Sequence, residues 1–228
     1  KRVRKALSYA INRKELITYL RYNIGIPGTS GIVPAALPSF DADKVKGYDY
    51  MPDLAQQFLK QAGYPQGQGF PELKLYTNAP YMLIAEYLQK GWAGIGVKVS
   101  IDINPFATHQ EMVDNGRIKF FRASWLGDYP DAENYLAMFY SKNFAPAGPN
   151  KTHFKNEQFD KLYEQAQLEN DTKKRYELYQ QMDQIVMDEA PVIVLYYDEV
   201  VRLTQNYVKG LEVDAMNMLK LEGVDFEK

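Results

Sequence analysis

Arg122-Ala-Ser-Trp125-Leu-Gly-Asp128-Tyr-Pro-Asp131-Ala-Glu-Asn-Tyr135 is where an apolar run gives way to an acidic turn. The run that leads into it, Phe120 to Trp125, reads as a short buried strand that breaks at Gly127. Asp128 and Asp131 then fall on the turn, with the Trp125 indole just ahead of them. A carboxylate at a strand end beside a large aromatic can seat a small cation such as an α-amino group. The charge pairs with the acid, and the ring supplies an apolar wall and cation–π attraction. The attraction strengthens as water is excluded. The same spacing also fits a plainer role, in which Asp128 or Asp131 caps a helix over Ala132 to Tyr140.

On either side of this stretch, helical and extended periodicities alternate. Val3, Leu7, Ala10, Ile11, Ile17 and Leu20 recur at helical spacing, and Asn12 sits where it can cap a second helix over Lys14 to Arg21. Residues 23–49 form a long connection containing Gly25, Pro27, Gly28, Gly31, Pro34, Pro38 and Gly47. A connection of this kind either crosses the surface irregularly or serves a function. Met51 to Ala62 is a helix with Pro52 in its first turn and Gly63 as its stop. Pro65 to Pro71 is a turn, Glu72 to Thr77 a strand, and Tyr81 to Trp92 an amphipathic helix closed by Gly94 and Gly96. Val97, Val99, Ile101 and Ile103 share one face of a strand. Phe106 to Asn115 is a helix followed by Gly116. Beyond the acidic turn, helices are expected over Asp131 to Tyr140, Asn156 to Asn170 and Asp171 to Asp188, the last capped by Asp171 or Thr172. Val192 to Tyr197 reads as a buried strand, Glu199 to Leu203 as a candidate further strand, and Val208 to Leu219 as a return segment. Strands separated by helices predict an α/β fold, a sheet covered by helices on both faces.

Composition narrows the function classes. A chain of 228 residues with 46% hydrophobic content can bury a sizeable core. A net charge of −2 without a basic block argues against a nucleic-acid binder. No apolar run approaches the roughly 18 residues of a membrane span. The absence of cysteine excludes disulfides and Cys-based metal sites. The two histidines, His109 and His153, form no His-x-x-x-His pair, and His109 is read as a surface or cleft-edge residue. There is no Gly-x-Ser-x-Gly elbow and no phosphate-binding Gly-x-x-x-x-Gly-Lys. Gly94-Ile-Gly96 is a helix stop. Asp128 and Asp131 could be a glycosidase pair, but nothing else in the chain is sugar-specific. No catalytic residue, cofactor or metal ion is expected.

Ser124-Trp-Leu-Gly-Asp-Tyr-Pro-Asp-Ala-Glu-Asn-Tyr135 resembles the Gly-Trp-x-x-Asp-x-x-Asp-Pro-x-x-Phe segment of bacterial dipeptide- and oligopeptide-binding proteins, the extracytoplasmic solute-binding subunits of peptide ABC importers. Val3-Arg-Lys-Ala-Leu-Ser-Tyr-Ala-Ile-Asn-Arg13 is similar to that family's Val-Arg-x-Ala-Leu-x-Tyr-Ala-Ile-Asp-Arg helix. Tyr50-Met-Pro-Asp-Leu-Ala-Gln-Gln-Phe-Leu-Lys-Gln-Ala-Gly-Tyr64 is similar to its Tyr-Asp-Pro-x-x-Ala-x-x-Leu-Leu-x-x-Ala-Gly-Tyr helix. Gly94 to Val99, Phe154 to Asp160 and Ala190 to Tyr197 continue the resemblance in order along nearly the whole chain.

The resemblance implies a lobe of the type II periplasmic-binding-protein fold, a mixed sheet flanked by helices on both faces. Members of the family are far longer, so the chain looks like a C-terminal half: residues 1–198 would form the second lobe, and residues 199–228 a return segment packing on a first lobe. It further implies capture of peptide between two lobes that close by hinge motion, with membrane permease subunits as partners. The expected location is periplasmic or cell-surface, with a lipid anchor through a cysteine outside these residues, and the expected state is monomeric. By motif position, Asp128 would pair with the ligand's α-ammonium, Trp125 would wall it and Arg122 would contact the carboxylate. The alternative for Arg122 is a salt bridge within the lobe. Tyr129, which follows the acid, and His153, in a loop after Pro149-Asn-Lys-Thr152, complete the candidate ligand-binding set. Asp131 and Asn134 are expected to brace the turn. Ala132 stands where the family often has Pro, and this leaves the ligand class open. The superfamily also includes binders of nickel chelates, haem and oligosaccharides. A ligand-sensing module that has lost transport is a further alternative.

Overall fold

The computed structural model describes residues 1–212 and 218–227. Helices α1 (Arg2–Tyr9) and α2 (Arg13–Leu20) divide where Asn12 stops one and caps the other, its side chain accepting from Glu15 N at 3.2 Å. Helix α3 (Pro52–Gln61) packs along α1. Ala6, Ala55 and Leu59 are fully buried between them, and Tyr9 stacks on Phe58 with centroids 5.8 Å apart. Strand β2 (Leu73–Thr77), helix α4 (Met82–Ala93) and strand β3 (Val99–Ile103) make a crossover unit. The two strands are parallel, with Leu73 opposite Val99 and Thr77 opposite Ile103. Trp92 of α4 is buried in this first core and donates its indole N–H to the Leu7 carbonyl at 3.0 Å.

Helix α5 (Phe106–Asp114) returns the chain to the other side of β2. There the expected strand over Phe120 to Trp125 shrinks to a single parallel bridge, Phe121 opposite Tyr76. Tyr76 N donates to Phe120 O and Arg122 N to Tyr76 O. The Arg122 carbonyl, which would carry the ladder on, instead meets His109 Nε2 at 2.9 Å, and the chain turns out to solvent at Ala123 and Ser124. His109, expected at the surface or a cleft edge, is therefore buried at the head of this turn, which rules out the surface position. Because β2, β3 and the Phe121 bridge run parallel, their carboxyl ends share one edge, the side on which open α/β sheets bind ligands.

A second core gathers α6 (Glu133–Leu136), α7 (Glu157–Leu168) and α8 (Thr172–Glu189) around Leu136, Phe139, Phe159, Met182 and Val186. The helix expected over Asp131 to Tyr140 is one short turn followed by 3-10 geometry at Ala137–Phe139. Helix α8 is capped by Asp171, which accepts from Lys174 N at 3.0 Å.

Both cores are tied by the long connection after α2. Strand β1 (Ile26–Pro27) pairs antiparallel with β4 (Tyr196–Tyr197). The expected buried strand over Val192 to Tyr197 thus holds only at its last two residues. Arg13 explains part of this: its buried guanidinium donates to Val194 O at 2.7 Å and to the carbonyls of Ser8, Ile11 and Tyr48. The connection itself is fastened to α8. Asp183 accepts Ile32 N at 2.8 Å and Val33 N at 3.2 Å, and Tyr48 donates to the Met187 carbonyl. A Cβ at Gly31, where φ is +103°, would lie 2.2 Å from Asp183 Oδ2, so this close approach requires glycine.

No strand forms over Glu199 to Leu203, where every residue is exposed. Strands β5 (Val208–Lys209) and β6 (Asp225–Phe226) pair antiparallel. The middle of the return segment expected over Val208 to Leu219 lies outside the described residues. The α/β class stands, with parallel and antiparallel pairing both present, although the strands form short separate pairs instead of one continuous sheet.

Candidate functional site

The turn after Phe121 carries Trp125, Asp128 and Tyr129 as one group. Its floor is set by close packing: Gly127 is buried, and a Cβ there would meet the Tyr135 ring at 3.2 Å. Asp131 accepts Glu133 N at 2.9 Å in a local turn just ahead of α6, whereas the Asp128 side chain accepts no backbone N–H of that helix. Asn134 is buried and faces back into the turn. Its Oδ1 accepts the Trp125 indole N–H at 2.7 Å and Asp128 N at 3.4 Å, while its Nδ2 lies 3.5 Å from Asp128 Oδ2. Both residues expected to brace the turn do so.

Asp128 is exposed. Among the described residues no Lys or Arg lies within ion-pair distance of its carboxylate, and only Asn134 hydrogen-bonds to its side chain. Beside it the indole is half-buried and fixed at its polar edge. An unneutralised carboxylate next to an anchored aromatic face suits a small organic cation.

Tyr129 is tied down differently. Its hydroxyl donates to Glu133, four residues on, and the same carboxylate receives the Tyr163 hydroxyl from α7. Burial first, then the bond to Glu133, pushes the Tyr129 hydroxyl up to about 12. Burial also raises Tyr163, with Glu133 adding to it. Tyr179 of α8 is raised first by burial and then by the nearby Asp131 carboxylate. All three tyrosines stay neutral through the physiological range, and the Tyr163 hydroxyl ties the turn to α7 of the second core.

Arg122 lies one turn back at the sheet edge. Its guanidinium carbon sits 3.1 Å from the centroid of the Tyr81 ring, which follows β2. No carboxylate pairs with it among the described residues, so the salt bridge considered for it is absent and its cationic face is held by an aromatic instead. His153 is separate from this group. It is exposed, adopts φ 51° and stacks flat on Phe144, centroids 4.9 Å apart. No hydrogen bond or ring contact joins it to Asp128 or Trp125 among the described residues. Neighbouring Lys151 connects that loop to α5 through Asp114 at 3.0 Å. No cluster of metal-ligating side chains occurs among the described residues.

Sequence reasoning missed Tyr81, Glu133, Tyr163 and the His109 tether. The i,i+4 spacing of Tyr129 and Glu133 was a local signal. Tyr163, 30 residues further on, gave none.

Residues 1–146 match the middle region of the bacterial extracellular solute-binding proteins, family 5. The chain is 27% identical to the dipeptide-binding protein of Escherichia coli over 99% of its own length and 43% of that protein's. It is 30% identical to haem-binding protein A of Haemophilus influenzae over 84% of its length and 35% of the relative's. It superposes at a TM-score of 0.84 and 26% identity on the periplasmic binding protein DppA of Helicobacter pylori, solved with the peptide STSA, covering 99% of this chain and 44% of that one. The chain thus spans less than half the length of each of these three relatives. All three relatives are named as binding proteins. Among the described residues no helix is long and apolar enough to cross a membrane. With nearly two thirds of its length under the family match and the fold shared with a type II periplasmic binding protein, the chain belongs to the bacterial extracellular solute-binding proteins of family 5.

Proposed function

We propose that this chain contributes the second-lobe half of a peptide-binding cleft and that Asp128 pairs with the ligand's α-ammonium. The observation that carries this reading is the exposed, unneutralised Asp128 carboxylate beside the anchored Trp125 indole. Trp125 walls the amine. Tyr129 frames the far side of the turn. Arg122, cationic and free of carboxylates among the described residues, contacts the ligand's carboxylate from the same sheet edge. His153 stands outside this cluster and contacts ligand only where a longer peptide reaches the loop around Phe144. Residues 199–228 pack on a first lobe, and the closed receptor delivers peptide to the permease subunits of an ABC importer. It works as a monomer outside the cytoplasmic membrane, held there by a lipid anchor.

Calorimetric titration of the full-length protein with a mixed di- to pentapeptide library tests the reading. Saturable binding is expected, and Asp128→Ala weakens it about tenfold to a hundredfold, the range of a charge-assisted hydrogen bond. Binding that Asp128→Ala leaves unchanged removes the anchor. No binding of peptide, with saturable binding of haem, a nickel chelate or an oligosaccharide, replaces the ligand class.

A further inference from the structure

Asn134 joins the two groups of the proposed site, and its chemistry fits both at once. An indole N–H can only donate, and a carboxylate can only accept. Trp125 Nε1 lies 2.7 Å from Asn134 Oδ1, which fixes that oxygen toward the indole and turns Nδ2 toward Asp128 Oδ2 at 3.5 Å. The same oxygen also receives the Asp128 backbone N–H at 3.4 Å. Only a side chain carrying both an acceptor and a donor on one short planar group meets these needs. The residue is 5% exposed, so it presents little surface of its own to a ligand. It belongs to the first turn of the second core, beside the fully buried Leu136. The contacts to Asp128 are long, and they orient the carboxylate without using up its accepting capacity.

We propose that Asn134 is a positioning residue that sets the indole and the carboxylate as one preformed ammonium seat. This rests on the reading in which Asp128 pairs with the ligand's α-ammonium. In the free protein the seat would otherwise be an exposed acid on an exposed turn, with rotamers to lose on binding. The contacts to its backbone N–H and carboxylate limit that freedom before the ligand arrives. The bond at the indole's N–H edge fixes that edge to the same side chain that contacts Asp128. The consequence is selective: losing Asn134 harms recognition of the free amine and spares contacts made elsewhere along the ligand.

The test compares the free-amine peptide library with the same library N-acetylated, on the full-length protein and its variants. In Asn134→Leu, free-amine affinity falls about fivefold to tenfold, as expected for lost neutral hydrogen bonds, and N-acetylated affinity stays within about twofold. The Trp125 indole N–H resonance moves toward that of a solvent-exposed indole, while that of Trp92, bonded to the Leu7 carbonyl, stays fixed and reports an intact fold. Asn134→Asp retains an acceptor for the indole but sets a second carboxylate against Asp128. Its free-amine affinity therefore falls more steeply than the unsubstituted protein's as the pH drops from about 7 to about 5, because a neighbouring like charge raises a carboxyl pKa. Equal losses for both libraries, or an unmoved Trp125 resonance, overturn the proposal while leaving the Asp128 reading intact. Unchanged binding in Asp128→Ala, or no binding of either library, overturns both.

Discussion

Asp183 is a buried acid with no ion pair among the described residues, held by two backbone N–H groups of the long connection. Burial pushes its carboxyl up to about 7, against the pull of the Ile32 and Val33 N–H groups. An unfolded aspartate titrates near 4, so the native state holds a proton that the unfolded state has released. The stabilising contribution is fully present below about pH 4 and is lost as the pH rises through about 7. Its slope is at most about 1.4 kcal/mol per pH unit. Asn at this position cannot ionise, and it offers one accepting oxygen where the two N–H groups need two. Asp183→Asn is therefore expected to cost about 1–3 kcal/mol as a constant offset and to flatten the pH dependence in that window. Urea unfolding of both proteins at a series of pH values from about 4 to 8 reads the difference. Parallel curves would show that Asp183 does not titrate there.

At the scale of elements, caps carry much of the definition. Asn156 accepts Phe159 N at 3.0 Å at the start of α7, and Phe159 is fully buried in the second core. Replacing Asn156 with Ala is expected to lower unfolding free energy by about 1 kcal/mol, and replacing it with Asp to leave it nearly unchanged. A thermal melt that treats the two variants alike would refute the capping role. Such local signals made the helices readable in the sequence: Asn12 between α1 and α2, Gly63 after α3 and Asp171 before α8 each stand where chain chemistry put them. The alternation of β2 and β3 was equally plain. Phe120 to Trp125 and Val192 to Tyr197 misled because an apolar run signals burial without signalling a ladder. The first ladder ends where His109 takes the Arg122 carbonyl, and in the second, Val194 O goes to Arg13. Both competitors are side chains from distant segments, invisible to a window of neighbouring residues. The site divides the same way. Asp128 and Trp125 were legible as an acid beside an aromatic at a break. Glu133 with Tyr163, and Arg122 with Tyr81, depend on tertiary packing.

Across the whole molecule, apolar residues are covered well in the two cores and poorly after β4. Val200, Val201, Tyr207, Leu219, Leu221 and Phe226 are all more than half exposed, and Leu203 is 93% exposed. A run of exposed apolar side chains this long marks a surface that meets another body. Among the described residues the β5–β6 pair is braced by its own side chains, the Tyr207–Phe226 ring contact with centroids 6.1 Å apart and an exposed Lys209–Glu227 ion pair at 3.4 Å. A two-stranded hairpin is marginal by itself in water. We infer that this segment gains its partner from a first lobe, which the family relatives have length to supply and which would also close the cleft over Asp128. Two linked effects are expected when the 228 residues alone are compared with the full-length protein. Amides of residues 207–209 and 224–227 exchange at least about tenfold faster in the short chain, since opening costs little without packing. Peptide affinity also falls, because half of the burial that drives capture is missing. Hydrogen exchange measured on both proteins separates these causes: equal exchange with lost binding would place the missing contacts in the cleft alone and leave residues 199–228 without the packing role assigned to them.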